Sequence, residues 1–204
     1  MTNNLKHYLF MILLISILTA CNQNVKSTAS KNVLLNEWEG PYGGVPAFNK
    51  MKVENIKDAM IQGMKLRLDE IENIAQNKDK PSFENTILQM ERSGKELSRV
   101  YSYYGILSSN LSSPEFRKIQ AELAPLLSEH QSKINQNEFL FKRIETVFNN
   151  SKDNPLEPDQ QRLVEIIYNS FFMSGASLNQ QKKKQYASIN KRLSELYIKF
   201  SNNI

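Results

Sequence analysis

The sequence predicts an all-α fold of about six amphipathic helices, and three observations carry that expectation. Apolar residues recur three or four positions apart through most of residues 53–200, which places them on one stripe of a helix. No stretch reads convincingly as a strand, whose half-buried form needs a period of two. Start and stop signals, such as Ser113-Pro114-Glu115 and Gly175, bracket the periodic stretches.

The first element is an export signal. Met1 to His7 is short and polar with Lys6 as a fixed charge, and Tyr8 to Leu18 is almost continuously apolar. As a helix that run reaches only about 16 Å, roughly half the hydrocarbon core of a bilayer. It therefore suits a signal-peptide h-region and not a spanning anchor. Leu18-Thr19-Ala20-Cys21 resembles the lipobox of bacterial lipoproteins. Small residues fit the peptidase groove, and the thiolate receives diacylglycerol. Residues 1–20 are expected to be removed, leaving Cys21 as the lipid attachment site and the link to a membrane. Each buried methylene contributes about 0.8 kcal/mol, so two or more acyl chains anchor stably. By resemblance to known lipoprotein sorting rules, Asn22 rather than Asp after the cysteine favours the outer membrane. Residues 21–33 then form the lipidated cysteine and a polar tether spanning at most about 40 Å. Cys21 is the only cysteine, so no intrachain disulfide forms and packing must supply the stability.

The helical segment is expected over residues 34–204. Leu34 to Phe48 is irregular, because Gly40-Pro41-Tyr42-Gly43-Gly44-Val45-Pro46 holds too many breakers for a helix. Trp38, Tyr42 and Phe48 are its means of packing onto a larger body. Val53, Ile56, Met60, Met64, Leu68, Ile71 and Ala75 form the first stripe, which ends between Asn77 and Pro81. Ile87, Met90, Gly94, Leu97, Tyr101 and Tyr104 form the second. Gly94 costs about 1 kcal/mol relative to Ala inside a helix, and a close helix crossing there would explain it.

Ser113-Pro114-Glu115 starts the third helix with a hydroxyl cap, proline in the first turn and an acid. Phe116, Ile119, Leu123, Leu127, His130 and Ile134 line its stripe, and Pro125 should kink it. Phe139, Leu140, Ile144, Val147 and Phe148 mark a fourth helix, followed by a break from Asn149 to Pro158. Leu163, Ile167, Phe171 and Ser174 mark a fifth, stopping at Gly175. Tyr186, Ile189, Leu193, Leu196, Tyr197 and Phe200 mark a sixth, whose stripe is still active near Ile204. That activity is a sign that the body continues.

Formal net charge is +5, and one of the cations, Lys6, lies in the segment expected to be removed. The excess is dispersed, which excludes a nucleic-acid footprint. The search for chemistry turns on histidine. There are two, and His7 lies in the export signal. His130 alone cannot build an H-E-x-x-H zinc site. No G-x-S-x-G elbow, P-loop or Rossmann fingerprint occurs. His130 reads as a core histidine, since Glu129 points about 100° away around the helix. Lys182-Lys183-Lys184 is a candidate anion site, with a solvated first turn the better reading. Tyr101, Tyr103 and Tyr104 are candidates for a peptide groove, with core packing the better reading for Tyr101 and Tyr104. No catalytic and no metal residue is assigned.

Several strings occur together in order. They are Pro46-Ala47-Phe48, Ala59 and Gly63, Pro81-Ser82-Phe83-Glu84-Asn85-Thr86-Ile87, and Ser93-Gly94 with Leu97 and Val100. Later come Pro125-Leu126-Leu127-Ser128, Asn137 with Leu140-Phe141-Arg143-Ile144, Gly175-Ala176-Ser177-Leu178 and Phe200-Ser201-Asn202-Asn203. Over residues 45–204 they resemble the N-terminal part of the thimet oligopeptidase and peptidyl-dipeptidase family of zinc metallopeptidases, with the dipeptidyl carboxypeptidase branch closest. The resemblance implies a two-lobed helical enzyme around a channel for short peptides. It implies zinc held by H-E-x-x-H and a further glutamate, with the motif glutamate as general base. Those residues would lie beyond Ile204. The segment would then form part of one lobe, bind no zinc alone, and depend on a missing C-terminal catalytic half. Such an enzyme releases C-terminal dipeptides from short peptides. The alternative is a non-catalytic helical lipoprotein with a binding or scaffold role. The segment is also expected to expose apolar surface and to be marginally stable.

Overall fold

The computed structural model describes residues 32–41 and 44–203. Cys21, the export signal and Tyr42 lie outside them. From Asn32 onward the described residues form one compact unit. It holds six long helices and no strand, with one short helix between the first two. No helix among the described residues is long and apolar enough to cross a membrane.

The body begins at Asn32, whose side chain caps the 3-10 turn Val33–Leu35 and donates to the Asn55 carbonyl at 2.9 Å. Leu34 and Leu35 are fully buried. The segment after them is irregular, as expected from its glycines and prolines. Gly44 sits at φ +100°, and a Cβ there would lie 2.5 Å from the Trp38 carbonyl oxygen. Trp38 and Phe48 both meet the edge or face of Tyr103, 6.4 and 5.7 Å between centroids. The Tyr103 hydroxyl accepts from the Ala47 amide at 2.8 Å.

Helix α1 (Val53–Ala75) is the spine. Its first half, with Ile56, Met60 and Met64, joins one core with Leu97, Val100, Tyr103, Phe116 and Leu123. Its last turns, with Ile71 and Ile74, join a second core with Phe83, Ile87, Ile134, Leu140, Ile144, Val164, Ile167 and Phe171. After α1 come a π-helical turn (Phe83–Ile87), short α2 (Leu88–Arg92) and α3 (Lys95–Ser109). Then follow α4 (Pro114–Asn135), α5 (Glu138–Asp153), α6 (Pro158–Met173) and α7 (Gln180–Ser201).

Ser113 caps α4 by accepting from the Phe116 amide at 3.1 Å, with proline in the first turn. Pro125 lies inside α4 without ending it. Gly175, at φ +84°, follows the end of α6.

Several expectations are corrected. The second stripe does not run through Gly94. That residue takes φ +75° and separates α2 from α3, so the helical phase restarts after it. The buried face of α3 is therefore Leu97, Val100, Tyr103 and Leu107. Tyr103 is the core tyrosine, at 1% exposure, while Tyr101 is 40% exposed. The close helix crossing is at Gly63, where a Cβ would stand 3.0 Å from Leu97 Cα. Phe139 is exposed and Phe141 is buried in its place. The break after α5 is shorter than expected, because that helix runs on to Asp153.

Candidate functional site

Among the described residues, chemistry-bearing side chains fall into three places. The first is His130, on the buried face of α4. Burial, reinforced by the Arg67 cation, pushes its pKa down from 6.5 to about 4, against the pull of a hydrogen bond with the Met64 backbone. Lys133 acts in the same direction as Arg67. The imidazole is thus neutral at ordinary pH, and its Nε2 has no hydrogen-bond partner. Cationic neighbours are the wrong company for a metal ion, which needs carboxylate, thiolate or further imidazole ligands. Among the described residues no group of three His, Cys, Asp or Glu side chains could hold a metal. The donor set here does not fit zinc.

The second place is the loop after α1. Asn85 is its hub. Its side-chain oxygen accepts from the Ser82 amide at 2.9 Å, the Thr86 hydroxyl at 2.9 Å and Arg143 at 2.8 Å. Its Nδ2 donates to the Lys80 carbonyl at 3.0 Å. Ser82 in turn accepts from the Asn85 amide, completing a capping box. Arg143, from α5, also donates to the carbonyls of Asn77 at 2.6 Å and Asp79 at 3.1 Å. The Phe83-Glu84-Asn85-Thr86 string is thus architectural: it seats the loop on α5 through a buried guanidinium. The Ser82–Asn85 spacing was a visible signal for the box. Arg143 was visible only as a cation amid apolar positions.

The third place is α7 with its neighbour α4. The two run antiparallel, since Gln136 Nε2 donates to the Lys183 carbonyl at 3.3 Å while Ser194 Oγ donates to the Ala124 carbonyl at 3.3 Å. Lys183 is 4% exposed, which corrects its reading as a solvated residue. Its ammonium reaches Glu138 at 3.1 Å and the Gln136 carbonyl at 3.5 Å. Gln180 donates to the same Glu138 carboxylate at 2.6 Å. Lys182 and Lys184 are exposed, as expected. Between α4 and α7 opens a cleft of about 520 Å³, walled by Tyr104, Leu127, Tyr186, Leu193 and Tyr197 with Gln131 and Asn190 among them. Of the candidate groove tyrosines, only Tyr104 reaches it. Partial burial raises its pKa, and its hydrogen bond with Gln120 opposes that. Its walls are mostly apolar and aromatic, with the hydroxyls of Ser128, Ser132 and Ser194 among them.

Residues 53–183 match the family described as Neurolysin/Thimet oligopeptidase, N-terminal domain. The dipeptidyl carboxypeptidase of Escherichia coli is 30% identical over 159 residues, which are 78% of this chain and 23% of that protein. Oligopeptidase A of Haemophilus influenzae is 32% identical over 163 residues, 79% of this chain and 24% of that protein. A probable cytosolic oligopeptidase A of Arabidopsis thaliana is 24% identical over 182 residues, 88% of this chain and 25% of that protein. The chain therefore spans about a quarter of the length of these relatives.

Proposed function

The chain belongs to the neurolysin/thimet oligopeptidase family, and on that footing we propose that it is the N-terminal helical portion of a membrane-anchored zinc metallopeptidase of the peptidyl-dipeptidase type. Its role is structural: it builds part of one lobe of an enzyme that removes dipeptides from the C-terminal ends of short peptides. The metal chemistry belongs to a portion outside residues 1–204, whether in the same polypeptide or in a second chain. The observation that carries this reading is the match to the N-terminal domain of a peptidase family, spanning about a quarter of its relatives' length. Attachment to the membrane, with the outer membrane favoured, rests on Cys21 and the lipobox-like residues before it.

A peptidase assay decides the catalytic part. The complete gene product and residues 1–204 alone are given an N-acylated short peptide, with zinc or with a chelator. Dipeptide release by the complete product only, abolished by the chelator, is the expected result. Zinc-dependent release by residues 1–204 alone would refute the reading, as would no release by either. Anchoring is checked by labelled fatty-acid incorporation in cells, which Cys21→Ser should abolish while shifting the protein to the soluble fraction.

A further inference from the structure

Helix α7 contributes no side chain to either hydrophobic core. Its one buried residue is Lys183. The face it turns to α4 carries half-buried Ala187, Asn190, Ser194 and Ile198. Its other large apolar residues lie elsewhere. Ile189, Leu193, Leu196, Tyr197 and Phe200 are 45% to 68% exposed.

These residues are not scattered. Tyr186, Ile189, Leu193, Leu196 and Phe200 alternate steps of three and four, which is the a/d spacing of a heptad seam. Arg192 and Lys199 occupy the positions that flank such a seam on one side, where charge selects the partner. Asn190 and Tyr197 occupy the other flank and carry no charge. Two heptads are too few for a free-standing coiled coil, but the cleft of about 520 Å³ beside the seam shares Tyr186 and Leu193 with it and takes in the flanking Tyr197. A helix laid on the seam gains Tyr104 and Leu127 as a second wall.

We infer that the α7 seam and the adjoining cleft dock an amphipathic helix with acidic flanks, supplied by the metal-bearing portion of the peptidase. The charge pattern selects that occupant. A second copy of α7 in antiparallel register would set Arg192 and Lys199 against their own kind, and in parallel register would face them with uncharged Asn190 and Tyr197. On an incoming helix with acidic flanks, one carboxylate meets Lys199 and another shares Arg192 with Glu195, which pairs with it at 3.2 Å in an exposed contact one turn along α7. The source of the helix rests on the proposed function; its chemistry does not.

Two measurements test this. The full chain carrying Cys21→Ser is titrated with either of two three-heptad helical peptides, with leucine along the seam and either glutamate or lysine at all flanking positions. The glutamate peptide should bind at least about tenfold tighter. Arg192→Glu with Lys199→Glu should reverse the preference, and Leu193→Asn should weaken both peptides. Equal binding, no binding, or a preference unmoved by charge reversal overturns the inference. So does concentration-dependent dimerisation lost in Leu193→Asn, or equally strong seam-dependent binding to phosphatidylglycerol vesicles. For the source, Leu196→p-benzoylphenylalanine is photolysed in cells making the complete gene product. Cross-linking to an acid-flanked helix of the H-E-x-x-H-bearing portion supports it; cross-linking to another protein, or none, overturns it. Neither readout uses peptidase activity, so failure here and failure of the catalytic assay are separate results.

Discussion

Two buried side chains decide how the residue scale behaves. Arg143 satisfies two loop carbonyls and the Asn85 side chain at once. Hydrogen bonds to a charged group contribute about 1.5–3 kcal/mol each, and their loss leaves buried acceptors unpaired. Arg143→Met should lower stability by about 3 kcal/mol in urea titration. Arg143→Lys should recover little, because one ammonium cannot reproduce the fork. Full recovery by lysine would show that charge, not geometry, seats the loop. His130 makes the fold sensitive to acid. Its folded pKa of about 4 lies below the unfolded value of 6.5, so between those values the unfolded chain binds more protons. Stability therefore falls as pH drops from about 6.5 to about 4, and this contribution levels off below that. At 1.36 kcal/mol per pKa unit the loss is at most about 3 kcal/mol. His130→Gln should flatten this part of the pH profile, and an unchanged profile would exclude His130 as its source.

At the scale of elements, glycine marks where periodicity was and was not a sufficient guide. The stripes of α1, α4 and α6 were legible because each is an uninterrupted helix whose buried face follows its apolar residues. Residues 87–104 were not, because a stripe read across Gly94 assumes one helical phase. A left-handed residue there rotates everything after it, which is why Tyr103 is fully buried and Tyr101 exposed, while Tyr104 packs half-buried on the core beside Phe116. The Gly94 amide is also committed, donating to Glu70 at 2.6 Å, and the Arg67 side chain lies where a Cβ would stand, 2.7 Å away. Gly94→Ala should therefore cost about 1 kcal/mol or more. Gly63→Ala tests a different cause, a steric one, since its Cβ would press on Leu97 backbone. It should cost about 1–3 kcal/mol as overpacking despite alanine's better helix propensity. A stabilised Gly63→Ala protein would mean that α1 and α3 can separate freely. At the candidate site, the cleft tyrosines and the α7 stripe were readable as apolar positions. Lys183 was not readable as buried, because only its meeting with Glu138 and Gln136 across 45 and 47 residues of chain makes burial tolerable.

For the whole molecule, periodicity says which residues share a face but not what covers it. Every long helix among the described residues is amphipathic, yet five of these six spend their apolar stripe on the two cores, and α7 leaves its stripe in water. Residues that bury nothing contribute nothing through burial. Each such side chain forgoes the roughly 1.5–3 kcal/mol that full burial of a large apolar group provides, and the chain also exposes an apolar patch that favours association. Stability and solubility should therefore separate cleanly. Leu193→Gln with Leu196→Gln removes exposed apolar surface while keeping good helix formers, so its melting temperature should match the parent within the range expected of surface changes, about 0.5 kcal/mol. Binding of a hydrophobic dye to the folded protein should fall, and the concentration tolerated before precipitation should rise. Ile144→Gln makes the opposite substitution, placing the same polar group in a fully buried position, and should cost several kcal/mol through lost burial and an unpaired amide. If the α7 pair destabilised the chain as much as Ile144→Gln does, the α7 stripe would be part of a core, and the surface assigned here to a partner helix would already be occupied.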